Sequence, residues 1–333
     1  MEIRKVQITG GATFMITLPK KWARQVGLQS GSPLRIIAQP PDLLVLQPQK
    51  ERLPRRALLD LEDKSGEILV RELIAIYIRG FELIEARGAP ISAAQRQTVR
   101  ETVQGRLMGM EIVEESSKAV TVQYLLDPAK LSVEGSLAKL LQNTRAMFQD
   151  GLRALGSGDR DTAHDVVARD IEADRLYLSL SRQAHIALQD ILIAEQSGLE
   201  RVQLFDAYTA AAQLERIADH AVKIAQITEQ LAAPIPTTVG DQLKETGENA
   251  SMLVQQAMDA LAARSAPLAH SALDSGPNIE AQLYKLSELL HSLEPKRAQL
   301  LAVVLDSIGR VKDYGANIAE TAINAAALSL SAG

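Results

Sequence analysis

From about residue 131 to residue 329 the apolar residues recur at helical spacing almost without interruption, and this pattern constrains the fold more than any other feature. The breaks fall at Gly156-Ser157-Gly158, Ser197-Gly198, Pro234–Pro236, Pro267 and Pro295, where glycine and proline end helices. The spacing predicts helices over 131–155, 159–196, 200–231, 238–263, 267–293 and 296–329. Amphipathic helices of that length bury their apolar stripes against one another. Aromatics make up only 3 % of the chain, which also favours helices packed through Ala and Leu over a sandwich. The expected fold class is therefore mainly α: two tandem three-helix bundles, 131–235 and 238–330. Local repetition supports the pairing. Ile171-Glu172-Ala173 recurs as Ile279-Glu280-Ala281, Arg216-Ile217-Ala218-Asp219 as Arg310-Val311-Lys312-Asp313, and Lys223-Ile224-Ala225 as Asn317-Ile318-Ala319.

The first 50 residues read differently. Ile3, Val6 and Ile8 open a strand, Gly10-Gly11 turns, and Phe14–Leu18 makes a second strand. Pro19 then starts a short helix, KKWARQV, which Gly27 caps. Two more strands follow at Leu34–Ala38 and Leu43–Leu46, separated by Pro40-Pro41-Asp42. So small a β unit buries little core by itself, so it is expected to dimerise. Pro48–Pro54, with Lys50, Arg52, Arg55 and Arg56, reads as a basic linker. Residues 57–128 read as a short α/β spacer: helices over 64–79 and 93–108, strands near 81–86, 110–114 and 119–125. No chemical motif marks this spacer.

Charge is unevenly placed. Residues 1–56 hold ten Lys/Arg and three Asp/Glu, a net of +7; the whole chain is −5, so the remainder is −12. A basic head suits a polyanion, and an acidic body suits cations or basic surfaces. Arg4, Lys5, Lys20, Lys21 and Arg24 flank the first strands and the short helix. In a two-fold dimer each would appear twice and could form one face that follows nucleic-acid phosphates; the competing reading is a basic surface that serves only solubility.

The body carries a second constellation. Asp170 and Asp174 lie four residues apart in DIEAD, and Glu215 and Asp219 do so in LERIADHAVKIAQ. An i, i+4 pair shares a helix face, where like charges repel. If two neighbouring helices face these pairs together, the four oxygen donors suit a hard cation such as magnesium, manganese, iron or zinc. The competing reading is a solvated face, with the acids paired to Arg169, Arg175, Arg201 or Arg216. The matching positions of the second bundle are Asn278, Gln282, Gly309 and Asp313, so a metal is expected in the first bundle only. His220 points about 100° from Asp219 on a helix and is expected to cap or to pair outside the cluster.

Other chemistry finds little footing. Cysteine is absent, which removes disulfides and thiolate sites and fits a reducing cytoplasm. His164, His185, His270 and His291 show no metal-binding spacing. No nucleophile elbow, Walker loop or dinucleotide fingerprint occurs, so neither an enzyme nor an organic cofactor is expected. The N-terminus MEIRKVQITGG has no apolar signal region, and the most apolar stretch, Leu73–Ile78, is far too short to enter and cross a bilayer.

Two resemblances extend this reading. Lys5-Val6-Gln7, Thr9-Gly10-Gly11, Leu18-Pro19-Lys20, Trp22, Val26-Gly27-Leu28 and Gly31 resemble the AbrB/MazE/SpoVT swapped-hairpin DNA-binding domain. The resemblance implies an intertwined homodimeric β-barrel that grips DNA through Arg4, Lys5, Lys20, Lys21 and Arg24. Residues 131–330 resemble the PhoU family, whose signature is close to LERIGDHAxNIAE and matches Leu214–Gln226, with Ala218 where glycine is usual. That resemblance implies iron or zinc on Asp170, Asp174, Glu215 and Asp219, and a role in restraining phosphate uptake alongside a sensor kinase and a phosphate transporter. The second repeat departs from the family pattern at Asn278, Gln282, Gly309 and Tyr314. The layout as a whole resembles archaeal phosphate-uptake regulators. The expected protein is a cytoplasmic transcriptional regulator. The alternative is an adaptor that dimerises through its head and docks on a transporter ATPase or a sensor kinase without touching DNA.

Overall fold

The computed structural model describes residues 2–39, 42–49, 53–126, 132–190, 198–231 and 233–327. The chain divides into two compact units, residues 1–54 and 55–333.

The first unit is built of two hairpins. Strands β1 (Gln7–Thr9) and β2 (Thr13–Met15) pair antiparallel, with Thr9 opposite Thr13. Gly10 and Gly11 make the turn at φ +60° and +83°, a region that glycine enters at no steric cost. Helix α1 (Lys20–Gln25) follows Pro19, and Gly27 at φ +69° ends it in the left-handed conformation. Strands β3 (Leu34–Gln39) and β4 (Leu43–Pro48) form the second hairpin. The expected turn at Pro40-Pro41 and the linker residues 50–52 lie outside the described residues. Among the described apolar residues of this unit only Ile37 is buried, whereas Phe14 is 73 % exposed, Ile8 66 %, Ile36 65 % and Leu44 64 %. The two hairpins stay separate two-stranded sheets in the single chain, so the expected barrel is not closed by one copy. The reason is area, because an isolated hairpin buries too little apolar surface to stand alone.

The second unit opens with β5 (Arg56–Asp60), α2 (Gly66–Ile78), β6 (Leu83–Arg87), α3 (Ala93–Arg106), β7 (Met110–Glu115) and β8 (Ala119–Tyr124). The sheet order is β5-β6-β8-β7, with β5 and β6 parallel and the other pairs antiparallel. Strand β5 corrects the expectation of a linker running through Arg56. Its three apolar residues, Ala57-Leu58-Leu59, are too few to show alternation between their charged flanks. Leu69, Leu73 and Tyr77 of α2 and Val99 and Val103 of α3 pack on Leu59, Ile84, Ala86, Val120 and Val122.

The rest is helical: α4 (Val133–Ser157), α5 (Arg160–Gln189), α6 (Arg201–Gln230), α7 (Thr237–Ala263), α8 (Ala266–Leu273), α9 (Gly276–Leu290) and α10 (Pro295–Ala327). The single helix expected over 267–293 is two. The chain leaves the helix at Asp274-Ser275, and Gly276-Pro277 opens α9, where proline is tolerated. Residues 131, 191–196 and 328–329 of the expected helices lie outside the described residues. Caps follow sequence logic: Asp159 accepts from the Thr162 N–H at 3.1 Å, and Gly158 takes φ +72° behind α4. Helix α6 is central, packing on α4, α5 and α10, while α7 packs on α10 and α4. One continuous core, including Leu140, Phe148, Leu214, Ile224, Leu253 and Ile308, therefore runs through both bundles. Among the described residues no helix is long and apolar enough to cross a membrane.

The α/β segment is seated on α5 by Arg182. This side chain is 2 % exposed. It donates to the carbonyls of Tyr77 and Phe81 and lies over the rings of Tyr77 and Tyr124, 4.9 and 4.2 Å from their centroids. A cation between two aromatic faces recovers part of its lost hydration. Leu178 and Tyr177 of the same helix pack into the α/β core.

Candidate metal centre and nucleic-acid interface

Helix α5 presents Asp170 and Asp174, and α6, packed beside it, presents Glu215 and Asp219. All four carboxyls titrate above the usual range, and the causes show how they are placed. Burial raises Asp170 to about 6, with the charges of Asp174 and Asp219 adding to it. Burial raises Glu215 to about 7, with Asp219, Asp174 and Asp170 adding. Asp174 is pushed up by burial and by Asp219 against the pull of Arg106, and Asp219 by burial against the pull of Lys223. The two expected pairs therefore meet across the helix pair in a half-buried acidic patch.

Among the described residues Arg169, Arg175 and Arg216 make no ion pair with the four acids, although the charge of Arg216 pulls Glu215 down. Arg169 holds Asp150 of α4 at 2.6 Å and Asp165 at 2.9 Å, Arg175 lies 3.5 Å from Glu172, and Arg216 lies 5.9 Å from the Tyr314 ring centroid. Among the described residues none of the four carboxylates makes an ion pair. Neither do three or more His, Asp or Glu side chains form a group arranged around one ion. The backbone brings the acids together, while their uncompensated charges do not close on a common centre.

Of the two alternatives for His220, the structure shows pairing outside the cluster. Its Nδ1 is 3.1 Å from the Ser307 hydroxyl on α10, and its ring lies 5.8 Å from that of Tyr314. Burial lowers its pKa to about 4, so it is neutral at physiological pH. His164 is a surface residue 2.9 Å from Glu229. The reading of the sequence missed Arg106. It ends α3, more than sixty positions before Asp170, and only the packing of α3 on α5 brings its charge to the acids. It missed Tyr177 as well, a half-buried phenol raised to about 12 by burial, stacked 6.3 Å from Tyr208 and sensing Glu215.

In the first unit Arg4, Lys5, Lys20, Lys21 and Arg24 are all exposed. Arg4 is paired with Glu2, and the other four make no ion pair among the described residues. Lys20, Lys21 and Arg24 occupy a single short helix.

Residues 137–228 match the model of the PhoU domain. The chain carries a PhoU domain. Most of α4, all of α5 and most of α6 fall within that match, including all four acids. Residues 7–54 match a second model, antidote-toxin recognition MazE, bacterial antitoxin. Comparison with curated proteins returns no match. Among solved structures, the phosphate transport system regulatory protein PhoU from Streptococcus pneumoniae is similar at 21 % identity and a TM-score of 0.49, over 58 % of this chain and 92 % of that one. PhoU from Pseudomonas aeruginosa is similar at 22 % identity and a TM-score of 0.49, over 58 % of this chain and 94 % of that one.

Proposed function

We propose that the chain is a homodimeric, cytoplasmic transcriptional regulator of phosphate uptake, in which a DNA-gripping head is governed by an ion-sensing PhoU domain. The observation that supports this most is the joining of a MazE-type head to a PhoU domain in one chain. Phe14, Ile8, Ile36 and Leu44 leave the head with an apolar surface that a second copy would cover. Pairing doubles Lys5, Lys20, Lys21 and Arg24 on one assembly, and each phosphate neutralised releases counterions.

In the PhoU domain, Asp170, Asp174, Glu215 and Asp219 fit an oxygen-ligated divalent cation in their chemistry. Burial first, and then their mutual repulsion, raise Asp170 and Glu215, and a cation would offset the repulsion. Iron, zinc, manganese and magnesium all suit such donors, and the ion would supply charge compensation rather than catalysis. Binding asks the carboxylates to rotate toward one another. Control of DNA binding then requires the ion, or a transporter ATPase or sensor kinase docked on the bundles, to favour one dimer arrangement by about 1–3 kcal/mol.

Mobility shift with DNA from upstream of phosphate-transport genes tests the reading. The dimer should bind, its affinity should fall steeply with salt, and Lys20→Ala/Lys21→Ala/Arg24→Ala should weaken it by more than ten-fold. Affinity insensitive to salt, or retained in the triple variant, overturns the head as the grip. Absence of DNA binding with nuclease-resistant capture of a transporter ATPase would favour the adaptor.

A further inference from the structure

The sheet of the α/β segment has two edges, and the sequence treats them in opposite ways. Strand β7 is defended. A bulge between Ile112 and Glu114 breaks its pairing to β8, and Glu111, Glu114 and Glu115 give it one sign of charge. A bulge and like charges both turn another strand away. Strand β5, the opposite edge, carries neither device. Its residues pair with β6 in unbroken parallel register, from Arg56 opposite Leu83 to Asp60 opposite Arg87.

The free side of β5 follows from its paired side. Arg55 turns both backbone groups toward β6: its carbonyl accepts from the Leu83 N–H at 3.1 Å, and its N–H donates to the Glu82 carboxylate at 3.1 Å. At the other end the Leu61 N–H donates to the Arg87 carbonyl at 2.7 Å. Backbone groups alternate in direction along a strand, so Ala57 and Leu59 face β6 as well. The N–H and C=O of Arg56, Leu58 and Asp60 therefore point away from the sheet. All three residues are exposed, Leu58 at 63 %. The Asp60 carboxylate accepts from the Glu62 N–H at 3.0 Å, and neither Asp60 nor Arg56 makes an ion pair among the described residues.

This row is its own complement. Turned antiparallel about a two-fold axis at Leu58, it sets Leu58 opposite the partner's Leu58, Arg56 opposite the partner's Asp60, and Asp60 opposite the partner's Arg56. Each facing pair exchanges both of its outward backbone bonds, and opposite charges flank an apolar centre on either side. We propose that two copies of this chain join edge to edge through β5, in that register, to make one continuous sheet across two α/β segments. So short an edge supplies register more than affinity. For affinity the contact rests on the head pairing proposed above, which holds two copies at high effective concentration. Strand β5 then fixes how the two PhoU-bearing bodies face each other.

The chain has no cysteine, so one introduced thiol reports one position. Facing residues of a hydrogen-bonded antiparallel pair lie about 5.5 Å apart at Cα, a span that a disulfide bridges. Under mild oxidation, full-length Leu58→Cys should form a covalent dimer roughly ten-fold faster than Val113→Cys on the defended edge. Adding Arg56→Asp to Leu58→Cys sets like charges face to face and should slow the reaction roughly five-fold, and adding Asp60→Arg as well should restore it. A dimeric chain in which Leu58→Cys reacts no faster than Val113→Cys, or in which Arg56→Asp leaves the rate unchanged, overturns the β5 pairing and leaves the head pairing standing. If Leu58→Cys still cross-links rapidly in a Phe14→Asp/Ile36→Asp background that remains dimeric, the head pairing falls and the β5 pairing stands. A wild-type chain that is monomeric overturns both.

Discussion

Neutralising two of the four acids should stabilise the metal-free protein, and only above mildly acidic pH. Asp170 sits at about 6 against an ordinary 3.8, and Glu215 at about 7 against 4.5. The folded protein therefore holds these protons more tightly than the unfolded chain does. Their contribution to stability is intact below about pH 4 and is lost as pH rises through 6 and 7. Each pKa unit corresponds to about 1.4 kcal/mol, so two groups shifted by about two units would nominally lose about 3 kcal/mol each. Both are half-exposed and share the same repulsion, so solvent screening reduces the joint loss to about 2–3 kcal/mol. Asp170→Asn/Glu215→Gln cannot ionise and escapes it. In chelator at pH 8 the variant should melt about 5–10 °C above wild type, at about 2–4 °C per kcal/mol for a unit of this size. At pH 4.5 the two should nearly coincide. Scanning calorimetry at both pH values decides. A variant less stable than wild type at pH 8, or an offset equal at both pH values, would refute the reasoning from mutual repulsion.

Three other outcomes follow from packing. Phe14→Asp with Ile36→Asp should leave the protein folded but monomeric by light scattering, because the charges sit on the apolar surface that a second head would cover. Arg182→Ala removes the donor to the Tyr77 and Phe81 carbonyls and the cation between two rings. It should cost about 3 kcal/mol in urea unfolding and expose the α/β segment to proteolysis. Gly315→Ala would put a Cβ 2.5 Å from Leu253 and 3.0 Å from Val254, where α10 meets α7, and should cost about 1–3 kcal/mol by the same assay.

The bundles were legible in the sequence because their helices are long, strongly periodic and ended by glycine or proline. The acidic pairs were legible for a related reason: spacing of four places two residues on one helix face whatever lies around them. The features that escaped are those set by tertiary packing. Strand β5 is held by parallel pairing to β6, across a helix, and carries too few residues to show its own period. The break at Asp274-Ser275 lies inside a run of helix formers, and the short turn before Gly276-Pro277 reads as continuous. Arg182 looks like any charged residue on a helix, yet it is buried because two aromatic rings and two carbonyls converge on it. Arg106, whose charge pulls Asp170 and Asp174 down, belongs to a different element, and nothing local marks it. Whether Arg169 and Arg175 would neutralise the acids was undecidable from spacing, and Asp150, Asp165 and Glu172 settle it by claiming them.

The proposed binding of a divalent cation by Asp170, Asp174, Glu215 and Asp219 is open to elemental analysis of the purified full chain beside the Asp174→Ala/Glu215→Ala variant. The wild type should carry at least one equivalent of iron, zinc, manganese or magnesium per chain, and the variant should lose it. Equal metal content in the two proteins would contradict it.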